Sequence, residues 1–323
     1  MKKYVAAVIL VLCLVLGACD GRGKESGGQA DRLGPAAELT DDTVLLTVDG
    51  REIPAWRYLY WLAYTCQRVQ ERYQASGLPL DWETPVSGGT LADYVKDQAL
   101  ADTALYATVE NWAEQYGCTV PDTQGETSHL PDMGLTGEQM GELERVGQMY
   151  AQLYDLYCTE GSELAPTKEA LADYGEQAGA VTLEWILIPF GEDREAAQKQ
   201  AAELFSRING AEDQAAVFSA LAAEHGDDSG PRTVLPGEAQ SELMEAARAL
   251  EEGQCSGILE TEDGFSIVRR VPLDVSVLKE SCFDEMLQTA AENSVVTTME
   301  EYAKLDPAAF AAEILSKQNT ESE

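Results

Sequence analysis

Apolar residues recur at helical spacing through most of the first half of the chain. Between Pro54 and Tyr73 they lie three or four positions apart and form one stripe, which predicts an amphipathic helix. A strand with a turn at Asp49 and Gly50 is predicted before this helix, over residues 43–53. The same helical spacing predicts further helices over residues 91–116 and 136–157 and directly after Pro166. The first half is therefore expected to be a strand followed by helices.

The pattern changes at Ala180. Residues 181–188 are rich in apolar side chains and end at Pro189, as a buried strand does. Three helical patterns and two short strand patterns follow, over residues 192–208, 214–224, 240–250, 256–260 and 265–270. This order predicts an α+β unit with a small antiparallel sheet. Beyond Pro272 helical spacing returns over residues 278–292 and 307–316, with a strand-like stretch between them at 294–298.

The first 19 residues have the layout of a secretory signal. Two lysines precede an apolar run from Val5 to Leu16, which is too short for the roughly 20 residues that span a bilayer. Leu16-Gly17-Ala18-Cys19 is similar to the lipobox of bacterial lipoproteins, whose peptidase cuts before the cysteine and whose cysteine thiol carries a lipid. We therefore expect Cys19 to be a lipid anchor. The alternative is an ordinary signal whose cleavage site lies beside a cysteine.

The acidic composition excludes several classes of partner. The 323 residues include 57 acidic and 22 basic side chains, which gives a formal net charge of -35. Nucleic acids and anionic membrane surfaces both attract clustered Lys and Arg, so direct electrostatic binding to either is excluded. Because 45% of the residues are hydrophobic, the chain can still bury a core.

Cysteines and histidines are too scattered for a metal or redox site. The five cysteines beyond the lipobox never form a Cys-x-x-Cys pair, and no histidine has a partner at metal-ligand spacing. We expect no metal and no cofactor, and we interpret these cysteines as small buried hydrophobes, with one disulfide as the alternative. His225 is interpreted as an exposed helix end rather than a catalytic group. The residues concerned are Cys66, Cys118, Cys158, Cys255, Cys282, His129 and His225.

Residues 181–270 resemble a parvulin-type (PpiC) peptidyl-prolyl isomerase domain. The similar segments follow the family's order: Trp185-Ile-Leu-Ile188, Gly226-Asp227-Asp228, Pro236-Gly237, the Leu-x-x-Gly-x-x-Ser run from Leu250 to Ser256, and Gly264-Phe265-Ser266-Ile267. The last two are the most specific. Together with the lipobox and the helical flanks, they make the chain similar to the PrsA and SurA foldases.

This resemblance implies an α+β fold in which N- and C-terminal arms form a helical chaperone domain around an inserted parvulin-like domain. The domains expected are a lipoprotein signal peptide over residues 1–18, a flexible tether over 19–42, an N-terminal arm over 43–178, the parvulin-like domain over 179–272 and a C-terminal arm over 273–318. The implied partners are unfolded or partly folded secreted polypeptides at the extracytoplasmic face of the cell membrane. The oligomeric state is left open.

The implied proline-binding pocket departs from the family's pattern. Trp185 and Ser266 replace two family histidines, Ala239 replaces a usual methionine and Leu243 a usual phenylalanine. Residues 229–234 replace a glycine-rich loop. The acidic residue expected after the second helix survives as Asp228, which is the candidate catalytic residue; the alternative is a helix-capping or loop carboxylate. The substrate-binding residues implied are Trp185, Val234, Ala239, Leu243, Phe265 and Ser266.

Two functional hypotheses follow from these substitutions. The first is a foldase or chaperone whose isomerase activity is weak or lost, and the alternative is an active peptidyl-prolyl cis-trans isomerase. A lipoprotein of another class is disfavoured because no nucleophile elbow, metal cluster or glycine-rich phosphate loop is found. The aromatic residues of the first helix are open to two interpretations, a client-binding groove or core packing. They are Trp56, Tyr58, Tyr60, Trp61, Tyr64 and Tyr73.

Overall fold

A computed structural model describes residues 33–120, 130–191, 193–225, 230–239 and 241–320. The chain divides into two compact units. The helical unit takes Met1–Ala165 and Phe283–Glu323, and the inserted unit is Pro166–Cys282. The predicted α+β fold, in which two arms from the ends of the chain form one unit around an insertion, is confirmed.

The helical unit is built from short strands and long helices. Its first part contains α1 (Leu33–Ala36), β1 (Val44–Val48), β2 (Arg51–Pro54), α2 (Ala55–Ala75), β3 (Pro85–Val86), β4 (Gly89–Thr90), α3 (Leu91–Gln115) and α4 (Gly137–Cys158). Its second part contains most of α9 (Lys279–Glu292), then β9 (Val296–Thr298), α10 (Glu300–Lys304) and α11 (Pro307–Thr320). Among the described helices, none is long and apolar enough to cross a membrane.

A three-stranded antiparallel sheet joins the two ends of the chain within the helical unit. Its order is β2-β1-β9, and Leu46 of β1 pairs with Thr298 of β9. The turn between β1 and β2 places Asp49 and Gly50 at positive φ, which confirms the predicted turn. These pairings show how residues far apart in sequence come to share one core.

Helices α2 and α3 form the centre of the helical unit. The side chains of Tyr58 and Tyr60 on α2 are fully buried. The guanidinium of Arg57 on α2 donates two hydrogen bonds, of 2.6 and 2.8 Å, to the Glu110 carboxylate on α3, so a paired charge holds the helices in register. At the start of α3, the Thr90 hydroxyl accepts from the Asp93 amide as part of a capping box.

The last residues of the predicted tether, 33–42, include a short helix. Residues 33–36 form α1, and Leu33 is 1% exposed because α1 packs against α2 and α11. Leu33 is therefore part of the folded core, ten residues before Thr43. Residues 1–32, which include the predicted signal peptide and Cys19, lie outside the described residues.

The inserted unit is a four-stranded antiparallel sheet with helices on both faces. Its sheet order is β6-β5-β8-β7. The elements are α5 (Lys168–Ala178), β5 (Val181–Pro189), α6 (Arg194–Asn209), α7 (Gln214–His225), β6 (Arg232–Val234), α8 (Ser241–Ala249), β7 (Leu259–Glu260) and β8 (Gly264–Val271). The predicted antiparallel sheet is confirmed, with β6 as a strand that the hydrophobic pattern did not indicate.

Candidate functional site

The two central strands of the inserted unit present two different faces. Strands β5 and β8 pair along their whole length, with Trp185 opposite Val268 and Leu187 opposite Ser266. Successive side chains of a strand point to opposite faces, so Trp185, Ser266 and Val268 share one face. Helix α8 packs on this face, which we call the α8 face. Helices α6 and α7 cover the other, the α6/α7 face.

Four of the six predicted substrate-binding residues contact one cluster on the α8 face. Val234 of β6 and Leu243 of α8 are 3% and 0% exposed, inside a core that also contains Met244 and Ala247. Trp185 and Ala239 are half-buried and pack against that core. The structure therefore brings these four predicted pocket residues together. Two of them, Val234 and Leu243, are buried in the core of the unit.

Trp185 and Ser266 are joined by a hydrogen bond on the α8 face. The Trp185 Nε1–H group donates to the Ser266 Oγ atom at 3.3 Å, and Ser266 is completely buried. This pair occupies the two positions where the resemblance implies histidines. Neither an indole nor a serine hydroxyl titrates near neutral pH, so the pair can hold the strands together but cannot exchange protons with a substrate.

Phe265, the remaining predicted substrate-binding residue, lies on the other face of the sheet. Because it is adjacent to Ser266 in the strand, its side chain points to the α6/α7 face. There it is 4% exposed, and its ring meets the ring of Phe190 edge to face, with 5.2 Å between the ring centroids. Its role is to fill the core between the sheet and α6 and α7.

The candidate catalytic residue Asp228 lies outside the described residues, as do its neighbours 226–229. The nearest described residue before them is His225, the last residue of α7. Its Nε2 atom lies 3.8 Å from a carboxylate oxygen of the preceding residue, Glu224. The other histidine, His129, is also outside the described residues. The role of Asp228 therefore stays a prediction.

A buried ion pair on the α6/α7 face was missed by the sequence reasoning. Glu184 of β5 and Arg269 of β8 are paired residues of adjacent strands, and the Arg269 Nε–H donates to Glu184 at 2.7 Å. The Ser219 hydroxyl of α7 donates to the other carboxylate oxygen at 2.7 Å. The sequence contains both charges, but only the register of β5 against β8 shows that they face each other.

One open cleft on the inserted unit is polar. A cleft of about 430 Å³ lies between the start of α8 and the β7–β8 turn. None of the six predicted substrate-binding residues lines it. Its walls are Ser241, Glu242, Glu260, Thr261 and Glu262. These walls do not offer the apolar surface that would grip a proline ring.

Cysteine and metal chemistry find no support among the described residues. Burial raises the pKa of the Cys255 thiol despite the nearby Arg269 guanidinium, so this thiol is not activated as a nucleophile. Burial also raises the pKa of Cys66 to about 12. Within the described ranges no group of three or more His, Cys, Asp or Glu side chains could hold a metal ion, and the five cysteines form no disulfide.

The aromatic residues of α2 are mostly core. Trp56, Tyr58, Tyr60 and Trp61 are each at most 5% exposed. Tyr64 is only half-buried and its ring contacts Trp61. The interpretation as core packing is therefore confirmed for the first four, and they form no open groove in this conformation.

A family model matches part of the inserted unit. The model described as Rotamase, PPIC-type PPIASE domain, matches residues 185–271. This segment is a PPIC-type rotamase domain. The rotamase domain spans β5 to β8 and so includes both faces described above. The predicted resemblance to parvulin-type isomerases is confirmed.

Solved structures give weaker likenesses over more of the chain. PrsA from Bacillus subtilis is 14% identical, with 87% of this chain and 93% of that chain covered and a TM-score of 0.25. PrsA from Bacillus cereus is 16% identical, with 86% and 93% covered and a TM-score of 0.27. A structure reported for SurA-like chaperones of Campylobacter jejuni is 14% identical, with 77% and 92% covered and a TM-score of 0.25.

Likenesses at such low identities and TM-scores transfer no activity to this chain. No curated protein matches the chain at a significant level. The function of this chain is therefore inferred from the rotamase domain and from its own side chains.

Proposed function

We propose that the protein is a membrane-anchored extracytoplasmic foldase that binds unfolded or partly folded secreted polypeptides and has weak or no prolyl isomerase activity. The observation that carries this proposal is the state of the α8 face. A rotamase domain is present, yet Trp185 is hydrogen-bonded to the buried Ser266, and Val234 and Leu243 are buried beside them.

The chemistry of prolyl isomerisation explains why this face matters. The rotation crosses a barrier of about 18–20 kcal/mol through a twisted amide. An enzyme lowers that barrier only by favouring the twisted state over the planar one, which requires a dry pocket around the proline and hydrogen-bonding groups beside it. On the α8 face, the side chains expected to form that pocket contact one another. The scaffold of the domain is kept, while its pocket residues contribute to its own core.

An active isomerase is the second candidate function. It is favoured by the match to the rotamase family, which extends over the whole of residues 185–271. In that case Asp228 would be the catalytic group, and a polypeptide would displace part of the packing around Trp185. The two candidate functions involve the same clients. They differ only in whether the protein accelerates cis–trans isomerisation of Xaa-Pro bonds.

Membrane attachment through Cys19 is the second part of the proposal. The run Leu16-Gly17-Ala18-Cys19 supports it, and a chain whose full sequence has a formal net charge of -35 gains nothing from anionic headgroups. Acyl chains on Cys19 would have to hold the protein unaided. In a bacterial expression host, we expect the wild type to fractionate with membranes and Cys19→Ser to lose lipid labelling. Labelling of the variant would contradict the anchor.

The chaperone claim is tested with an aggregating client. Unlipidated chain beginning at residue 19 is mixed with a chemically denatured protein as the denaturant is diluted, and light scattering is followed. We expect scattering to fall several-fold at a small molar excess of the chain. An inert protein of similar negative charge serves as the control, because charge alone can slow aggregation. Equal scattering with the chain and with this control would remove the chaperone claim.

A further inference from the structure

A carboxyl group is buried between the two central helices of the helical unit, away from the rotamase domain. Asp102 lies near the middle of α3 and is 5% exposed. Its Oδ1 atom accepts one hydrogen bond, from the Gln98 Nε2–H group one turn earlier, at 3.3 Å. A buried carboxylate ordinarily needs several donors or a close cation to stay ionised. Asp102 has one long hydrogen bond.

The groups around Asp102 do not supply a close positive charge that would stabilise its ionised carboxylate. We call its surroundings the α2–α3 seam, and they consist of Trp61, Tyr64 and Arg68 of α2 with Gln98, Asp102 and Tyr106 of α3. Arg68 is the cation that acts on the Asp102 carboxyl, but its side chain is exposed and donates to the Tyr64 hydroxyl at 3.0 Å. Within the described residues, α4 and α11 also pack on α3 but contribute no charged group that acts on Asp102.

One other polar group in the seam has no hydrogen-bond partner. The Nε1–H group of Trp61 is buried and has no hydrogen-bond partner. The ring of Trp61 lies against Tyr106, with 4.5 Å between the ring centroids, so this orphan donor belongs to the same seam. The seam therefore holds more polar groups than it satisfies, and a full negative charge adds to that cost.

We propose that Asp102 makes the α2–α3 seam sensitive to pH: the seam tolerates the neutral carboxyl in acid, and ionisation of the carboxyl near neutral pH loosens the contact between the two helices. The helical unit would then open more readily at neutral pH than in mild acid. Opening would expose the buried aromatic side chains of α2, among them Trp56, Tyr60 and Trp61.

The direction of this change in stability with pH follows from proton linkage. Burial raises the pKa of Asp102 from 3.8 to about 6, against smaller lowering effects of Gln98 and Arg68. Between these two values the folded state binds more protons than the unfolded state, so stability falls as the pH rises from about 4 to about 6 and then levels off. From pH 5 to pH 7.5 the opening constant of the seam should rise roughly tenfold from this group alone.

Hydrogen exchange of the full mature chain tests the proposal. Peptides covering α2 and α3 are followed by mass spectrometry at pH 5 and pH 7.5, after correction for the pH dependence of intrinsic exchange. We expect the tenfold rise in opening in the wild type and its loss in Asp102→Asn. Asp97→Asn is the matched control, because Asp97 lies on the same helix and is exposed. It should behave like the wild type.

Two results would overturn the proposal. One is a wild type whose opening is the same at both pH values, and the other is an Asp102→Asn variant that keeps the full pH dependence. If that variant does not fold, the carboxyl carbon of Asp102 is titrated by NMR in the wild type. A midpoint near pH 6 supports the proposal, and a midpoint near pH 4 contradicts it.

Discussion

At the scale of single residues, Gly264 shows how closely the rotamase domain is built. It is the first residue of β8 and pairs with Pro189 at the end of β5. A Cβ atom at this position would overlap the carbonyl oxygen of Ile188. Only glycine allows the two backbones to approach here, because the obstacle is main chain and cannot rotate away. Glycine is therefore required at position 264 because of the close packing of the two strands.

Gly264→Ala should destabilise the protein by about 1–3 kcal/mol, the usual cost of forcing an extra methyl group into a packed site. Urea unfolding of the mature chain measures the change in the free energy of unfolding. Gly257→Ala is the matched control, since a Cβ atom there meets nothing within 4 Å. If the two alanine variants were equally stable, the close approach of β5 and β8 would not be a real constraint.

Individual site residues were predictable only where the family's pattern named them. The substitutions at Trp185 and Ser266 could be read from the sequence, but their hydrogen bond needed the pairing of β5 with β8. Phe265 and Ser266 lie on opposite faces of the sheet, because successive residues of a strand alternate between faces. Glu184 and Arg269 were passed over, since register alone shows that they meet.

At the scale of elements, the long helices could be predicted because their apolar stripes run through several turns. Helices α2, α3 and α4 begin and end within a few residues of the predicted bounds. Capping side chains sharpen two of these starts, at Thr90 and Thr136. Local signals of this kind do not depend on the rest of the fold.

Strands β3, β4 and β6 could not be predicted, because two or three residues are too few to show a period. Strands β3 and β4 are two residues long each, and β6 is three. They exist because a partner strand satisfies their backbone groups. Helix α1 also depends on distant partners, because its Leu33 is buried by helices that lie later in the chain. Tertiary contacts decide such segments.

At the scale of the whole molecule, the insertion was predictable from the resemblance and not from the hydrophobic pattern. Strand β9 pairs with β1, which lies about 250 positions earlier in the chain. This pairing joins the two segments of the helical unit that precede and follow the insertion. No local signal in residues 294–298 identifies that partner. The domain boundaries proposed from the sequence remain predictions.

The charge of the whole chain bears on which clients it can hold. A net charge of -35 repels acidic polypeptides and other copies of the chain at low ionic strength. Binding through apolar and aromatic contacts is less affected by salt than binding through charge. The proposed foldase is therefore expected to favour clients that are not strongly acidic.

The central claim is that a rotamase domain is retained while efficient isomerisation is not. Exchange NMR on an Ala-Pro peptide, with and without the mature chain, tests it most directly. The account predicts cis–trans exchange close to the uncatalysed rate, on a timescale of tens to hundreds of seconds. An acceleration that grows with the concentration of the chain and disappears in Asp228→Ala would contradict it.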